Sequence, residues 1–324
     1  MSRRKLSLRK VLELHLGYLL FRLSTSWVKR LPVESLTSYG EKLGLLAFHL
    51  LRRWRRVAFT NLNLALGKEK RKNEIYWICR ELFKNMGRDM MEIYRCVDFE
   101  DSYFKTLVRF EGKEHLDRAL KAGKGAIAVS AHLGNFPLMG ARLAAEGYPS
   151  SVVTRDPENP KIAKAITSLR DAVGLETIHD EPRMACVSRC FKALKENRIL
   201  LLHIDQNAPI TEAWVDFFGY LVPTFKGPVL FSIRTGAPIL PMFMKRNSDN
   251  LHKITIHPPF TLNITGNAEQ DITSNTARLT KLIEAAIREY PEQWLWIYRR
   301  FKRARDTNTG KRIFPRHRET VSQT

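Results

Sequence analysis

Several kinds of chemistry are missing from this 324-residue sequence. It holds four cysteines, Cys79, Cys96, Cys186 and Cys190, and no C-x-x-C pair. With no matching Cys/His set, no metal site is expected, and so few thiols fit a reducing compartment better than a disulfide scaffold. Neither a G-x-S-x-G elbow nor a G-x-x-x-x-G-K-[ST] loop occurs, which argues against a serine nucleophile and a nucleotide P-loop. There is no internal repeat and no low-complexity linker. Long unbroken apolar runs are also missing. Glu13, His15 and Arg22 interrupt LELHLGYLLFRLSTSWVKRLP, and LGLLAFHLLRRWRR (Leu43 to Arg56) is short. Neither reaches the roughly 18–20 apolar residues of a spanning helix. No small-residue cleavage site follows the basic start MSRRKLSLRK, so a signal peptide is not expected.

Negative charge is scarce too. Against 54 Lys and Arg stand 33 Asp and Glu, a net charge of +21. Such a field favours nucleic acid, an anionic membrane face or an acidic partner. The composition, 44% hydrophobic and 27% charged, is that of a globular chain with ample length for a core. The two interrupted apolar segments, edged by Trp and Arg, read as amphipathic helices lying in a membrane interface, or as ordinary packing helices.

Residues 1–100 read as a helical, membrane-associating region. Strand and helix signals then alternate over 101–305, and 306–324 reads as a basic flexible tail. GAIAVSA (Gly125 to Ala131), SSVVT (Ser150 to Thr154), RILLLHID (Arg198 to Asp205), APILPMFMK and HKITIHPPF are the expected strands. Between them lie expected helices at about Gly134 to Glu146, from Asn159-Pro160, at about Pro182 to Glu196, in GPVLFSIRTG, and at about Thr273 to Tyr290. The fold class is therefore α/β, with a mainly parallel sheet flanked by helices. Ligands of such sheets gather where strands end, and His132 and Asp205 both stand just past a strand end.

Four stretches bear on chemistry. His132, followed by Gly134, is either a structural histidine or a base able to take a proton from a hydroxyl. In HIDQNAP, Asp205 and Gln206 could orient an imidazole, bind a polar group or cap a turn. VDFFGYLVPTFKGPVL (Val215 to Leu230) is an apolar wall beside a phosphate-friendly turn, or aromatic core. PEQWLWIYRRFKRAR (Pro291 to Arg305) is an interfacial aromatic-and-cation platform, a nucleic-acid patch or a solvated basic tail.

Seven stretches, in order, resemble the bacterial lipid A late (lauroyl/myristoyl-type) acyltransferase family, within the lysophospholipid acyltransferase-like superfamily. They are EGKEHLDRALKAGKGAIAVSAHLGNFPL, TRDPENP, LRDAVG, DQNAP, VDFFG, RTGAPILP and PEQWLWIYRRFK. RRVAFTNLNLAL resembles the family's N-terminal Arg and Asn-Leu stretch. The resemblance covers about Arg52 to Lys302. It implies a glycerolipid-acyltransferase-like fold at the cytoplasmic face of the bacterial inner membrane, peripheral or monotopic. The implied reaction moves a fatty acyl chain from an acyl thioester, on acyl carrier protein or coenzyme A, to a hydroxyl of a lipid A precursor-like glycolipid or a lysophospholipid. No bound cofactor is implied, and the expected partners are anionic lipids, acyl carrier protein and the acceptor.

The resemblance makes His132 the general base, with Arg155 and Arg170 near phosphate or donor. Asp205 and Gln206 match an Asp-Gln pair, Phe217, Phe218 and Gly219 a Phe-Phe-Gly turn, and Arg299 and Arg300 a basic pair. With Asn135, these are the expected substrate-binding residues, Asp205 being taken as catalytic. Two positions depart from the pattern. Pro137 stands where the acid of the His-x4-acid motif belongs, and Tyr298 replaces a histidine before the Arg pair. Another carboxylate is therefore expected to orient His132, Asp205 first and Asp156 second. The rivals are a catalytically impaired lipid-binding homologue and a basic nucleic-acid-binding protein.

Overall fold

The structure is a computed structural model and describes residues 7–314. Four helices come first: α1 (Leu8–Lys29), α2 (Leu36–Leu50), α3 (Arg52–Leu66) and α4 (Lys72–Arg95). The Glu74 carboxylate accepts from the Arg71 N–H at 2.9 Å, closing the open end of α4. Glycines let α2 lie directly on α4. A Cβ on Gly87 would stand 2.0 Å from the Gly40 carbonyl oxygen, and one on Gly44 2.1 Å from that of Phe83.

The expectation of amphipathic N-terminal helices needs correction for α1, which is apolar on two sides. One side packs inward, with Val28 buried and Phe21 edge-on to Tyr94 of α4 at 5.7 Å. On the other, Leu12, Leu16, Leu19, Leu20 and Leu23 recur at helical spacing and are 53–70% exposed. Tyr39, Leu43, Leu46 and Leu50 form a similar exposed row on α2. Trp27 of α1 meets Tyr39 edge-on at 5.8 Å, which joins the two rows. Among the described residues no helix is long and apolar enough to cross a membrane.

The remainder alternates: α5 (Asp101–Leu107), β1 (Val108–Glu111), α6 (Lys113–Lys121), β2 (Ala126–Ser130), α7 (Phe136–Ala145), β3 (Ser150–Thr154), α8 (Pro160–Ala172), β4 (Leu175–His179), α9 (Arg183–Lys195), β5 (Ile199–His203), β6 (Ala213–Phe217), β7 (Tyr220–Thr224), α10 (Gly227–Thr235), β8 (Ile239–Arg246), β9 (His252–Ile256), α11 (Ala268–Glu289) and β10 (Arg305–Asp306). Seven strands form one sheet in the order β1-β9-β8-β2-β5-β3-β4. Neighbours are parallel except β8 and β9. β2 is buried along its whole length, which is why it reads as an unbroken apolar run. β1, β4, β6, β7 and β10 carry no such run and were not anticipated. α11 begins earlier than expected because Asn267 caps it, accepting from the Gln270 N–H at 3.1 Å.

The VDFFG stretch closes a hairpin. β6 and β7 are antiparallel and joined by Phe218 and Gly219 alone, at φ of +52° and +79°. A two-residue turn with both φ values positive matches the twist of the strands it connects. The expected flexible tail is also displaced: Arg305 and Asp306 add a third strand to this hairpin, and Ile313 packs on the core. The tail beyond Phe314, like residues 1–6, lies outside the described residues. One hydrophobic core runs from Phe48, Leu62 and Leu82 of the N-terminal helices to Ile283, Trp294 and Trp296.

Gly87→Val forces a side chain into the α2 backbone. Overpacking typically costs about 1–3 kcal/mol, and a backbone obstacle puts this variant at the upper end. Chemical denaturation should show that loss; an unchanged midpoint would refute the close helix contact.

Candidate active site

β2 and β5 are parallel neighbours with Ser130 opposite His203. His132 and Asp205 each lie two residues past those partners, so the register brings both to one rim of the sheet. The His132 Nδ1 lies 2.8 Å from Asp205 Oδ1. Its backbone N–H donates to Oδ2 at 2.9 Å, and the Trp294 indole N–H donates to the same oxygen at 2.7 Å. A carboxylate only accepts, so Nδ1 carries the proton and Nε2 presents its lone pair. The Gln206 amide nitrogen donates to Nε2 at 2.8 Å. The backbone around the histidine is equally constrained. Leu295 N–H donates to the His132 carbonyl at 3.1 Å, and Gly134 N–H to the Gln293 carbonyl at 3.0 Å. Gly134 sits at φ +57°, and a Cβ there would be 2.4 Å from the Met244 carbonyl oxygen. The tight turn after the histidine thus requires glycine.

Burial by itself would raise the Asp205 carboxyl. The imidazole beside it and the three donated hydrogen bonds outweigh burial and hold it well below the usual carboxylate range. His203, which ends β5, was not anticipated as a site residue. Its ring lies 4.9 Å from that of His132 and 5.1 Å from Phe136. Part of the residue reaches the surface, but Nε2 is sealed from solvent and has no hydrogen-bond partner among the described residues. Burial first, then the neighbouring His132, push its pKa down from 6.5 to about 3. The site therefore pairs one imidazole facing a carboxylate with a second kept neutral.

A sequence profile described as bacterial lipid A biosynthesis acyltransferase matches residues 6–303. The chain belongs to this family. It is 27% identical over 281 residues to the lipid A biosynthesis palmitoleoyltransferase of Escherichia coli, covering 85% of this chain and 87% of that protein. The lipid A biosynthesis lauroyltransferase of E. coli is 25% identical over 280 residues, covering 85% and 88%. A phosphatidylinositol mannoside acyltransferase of Mycolicibacterium smegmatis is 25% identical over 185 residues, 56% of this chain and 58% of that one. Membership in an acyltransferase family displaces the nucleic-acid reading of the basic charge.

Of the residues expected in this acyltransferase's site, the structure joins His132, Asp205 and Gln206. Asp156 is not the substitute acid, since it pairs with His179 at 3.0 Å. Four expected substrate contacts need correction. Asn135 is fully buried and donates to Glu92 Oε2 at 2.8 Å. Phe217 is sealed against Trp294 and Phe301 at 5.8 and 5.9 Å. Phe218 is buried beside Trp296, and its N–H donates to Glu284 at 2.9 Å. Arg300 is fully buried and donates to the carbonyls of Gln206 and Pro223, both at 2.7 Å, and to Thr224 Oγ1. Burial lowers its pKa to about 10, which still leaves it charged at neutral pH. These residues hold the site's supports and offer no free face to a substrate. Gly219 is exposed at the hairpin tip, and Arg299 is exposed beside Arg300. Arg155 is largely exposed and paired with Asp180 at 2.8 Å and Glu181 at 3.3 Å. Arg170, in the last turn of α8, has its pKa lowered by burial, which the charges of Asp156 and Asp171 only partly offset. Neither arginine hydrogen-bonds to the His132 pair. The Trp-rich segment is also corrected: Trp294 and Trp296 are core residues, not an interfacial platform.

A second buried cluster lies behind the histidine turn. Glu92 of α4 accepts from Arg246 at 2.7 and 2.8 Å and lies 2.8 Å from His252 Nε2. Asp89 accepts from the same arginine at 2.6 Å. Asp89, Glu92 and His252 stand close enough together for metal ligands. The Arg246 guanidinium, however, already supplies the cation that both carboxylates face.

The neutral His203 makes stability pH-dependent. The unfolded chain takes up a proton near pH 6.5, and the folded chain near 3. Between those values the unfolded state binds more protons, so stability falls as pH drops. His203→Phe should remove up to about 1.4 kcal/mol per pH unit of that slope. Denaturation midpoints measured from pH 7 to 4 check this; parallel curves for the two proteins would contradict it.

Proposed function

We propose that this protein is a membrane-docked O-acyltransferase that moves a fatty acyl chain from an acyl thioester to a hydroxyl of a membrane glycolipid. The observation that carries this reading is the His132–Asp205 pair, with Nε2 facing the Gln206 amide. The acceptor hydroxyl takes the seat of the Gln206 amide at Nε2. His132 removes its proton as the oxygen bonds to the thioester carbonyl carbon. Asp205 stabilises the imidazolium and keeps its ring oriented. The tetrahedral intermediate then loses its C–S bond, and the imidazolium proton passes to the departing thiolate. The donor is an acyl group on acyl carrier protein or coenzyme A, and no resident metal or redox group takes part. Family relatives named for lipid A and for phosphatidylinositol mannoside support a glycolipid acceptor, with lysophospholipid as the broader alternative. The impaired-homologue reading rested on Pro137, and an imidazole already oriented by Asp205 weakens it.

Membrane docking rests on the exposed leucine rows of α1 and α2 joined at Trp27 and Tyr39. A face of this kind lies in the headgroup–acyl boundary without spanning it. The cytoplasmic face of the bacterial inner membrane is the location this reading implies.

Two measurements test the proposal. His132→Ala should lower acyl transfer roughly 10²-fold or more, and Asp205→Asn at least about tenfold, with folding intact by circular dichroism. Wild-type turnover in either folded variant would remove that residue from the mechanism, and a wild-type protein inert with every thioester donor would favour the impaired homologue. Separately, Leu16→Ser with Leu20→Ser should weaken vesicle binding at least about tenfold, because each buried leucine contributes about 1.5–3 kcal/mol. Undiminished flotation with liposomes would sink the docking face.

A further inference from the structure

A surface cavity of about 640 Å³ opens between α3 and the β6–β7 hairpin. Arg52, Arg55, Arg56 and Lys68 line it, with Phe59 and Tyr220 among its apolar walls and no acidic residue. Among the described residues neither Arg52 nor Arg56 forms an ion pair with a carboxylate. Arg55 donates to the Phe48 carbonyl at 2.7 Å and rests 5.1 Å above the Phe48 ring, so its charge too is unneutralised by an acid. Lys68 has Asp306 within electrostatic reach. Three arginines crowded into the opening turns of one helix repel one another, and the first turn of α3 holds no acidic residue to offset them. An anion in the cavity removes that cost.

The cavity's position selects among anions. It lies next in the chain to the exposed apolar face: Leu46 and Leu50 end the row on α2, and exposed Leu51 and Trp54 bracket Arg52 and Arg53. When that face lies in a bilayer, the arginines stand at headgroup depth, where each basic residue contributes about 1 kcal/mol toward anionic lipid. Aromatic walls beside the cations suit a ligand that is part phosphate and part apolar. Phe314 lines one side of the cavity. We propose that this cavity is a headgroup site that binds the phosphate of an anionic phospholipid and fixes the orientation of the protein on the membrane. This rests on the membrane-docked reading above and adds to it a discrete lipid site apart from the His132 pair.

The test uses the full chain and short-chain lipids below their micelle concentration, so that site binding and bilayer docking are read separately. Calorimetric titration with dihexanoyl phosphatidylglycerol should show saturable binding. Dihexanoyl phosphatidylcholine and inorganic phosphate should each bind at least about tenfold more weakly, and the variant Arg52→Ala/Arg56→Ala/Lys68→Ala should lose at least about tenfold toward phosphatidylglycerol with an unchanged Tm. In flotation, the triple variant should keep its binding to neutral phosphatidylcholine vesicles and lose the preference for anionic ones. The leucine variant should lose vesicles and keep the titration. A triple variant that binds phosphatidylglycerol like the wild type overturns the site. So does inorganic phosphate binding as tightly as the lipid, or a loss confined to acyl carrier protein. A wild-type protein that ignores all vesicles yet gives the phosphatidylglycerol titration would remove the docking face and overturn the orienting role, leaving only the binding of free lipid.

Discussion

The buried carboxylate of Asp205 is the point on which the rim of the sheet depends. It accepts three hydrogen bonds from two directions: the ring and backbone of His132 on β2's extension, and the indole of Trp294 from the segment after α11. Burial alone would favour the protonated acid, and the imidazole beside it together with the donated hydrogen bonds reverses that preference. Trp294, which lies wholly in the core, is therefore tied to the proposed His132–Asp205 chemistry through this hydrogen bond. Arg300 acts one step further out. By binding the Gln206 and Pro223 carbonyls, it fastens the loop carrying Asp205 and Gln206 to the β6–β7 hairpin.

The N-terminal helices are coupled to that rim through polar contacts as well as through the shared core. Asn61 of α3 donates to the carbonyls of Trp296 and Tyr298, both at 2.6 Å. Glu92 of α4 joins Arg246 of β8, His252 of β9 and Asn135 of the histidine turn. Burial would raise the Glu92 carboxyl, but His252 and Arg246 beside it prevail and keep it ionised. Breaking a buried pair of this kind leaves an uncompensated charge, which typically costs about 3–5 kcal/mol. α3 and α4 are thus hydrogen-bonded to the segments that carry the His132 pair, and α2, which bears one of the exposed leucine rows, lies directly on α4.

At Pro137 the chain has no acid beside His132, and Asp205 supplies the carboxylate that hydrogen-bonds the imidazole. The position lies in the first turn of α7, where a missing N–H costs little and a fixed φ suits the helix. The orienting carboxylate comes instead from the adjacent parallel strand, at the same offset past the strand end. The rim around His132 consequently presents Phe136, Pro137 and His203 in place of a second charge.

The sequence by itself determined the α/β alternation, the main parallel strands and the candidacy of His132 and Asp205. These are local signals: unbroken apolar runs mark strands buried on both faces, and a polar residue directly after one marks the rim. The tertiary structure decided everything that depends on which segments meet. Asn135, Phe217, Phe218 and Arg300 carry the same letters whether they face a substrate or the core, and only packing revealed that they are buried. The short strands β1, β4, β6, β7 and β10 gain their stability from neighbours and not from their own pattern. The role of Trp294, and the choice of Asp205 over Asp156, rest on contacts spanning 89 and 73 positions in the chain. Composition and periodicity describe what each segment prefers, whereas the partner of a buried polar atom is set by the register of strands brought together on folding.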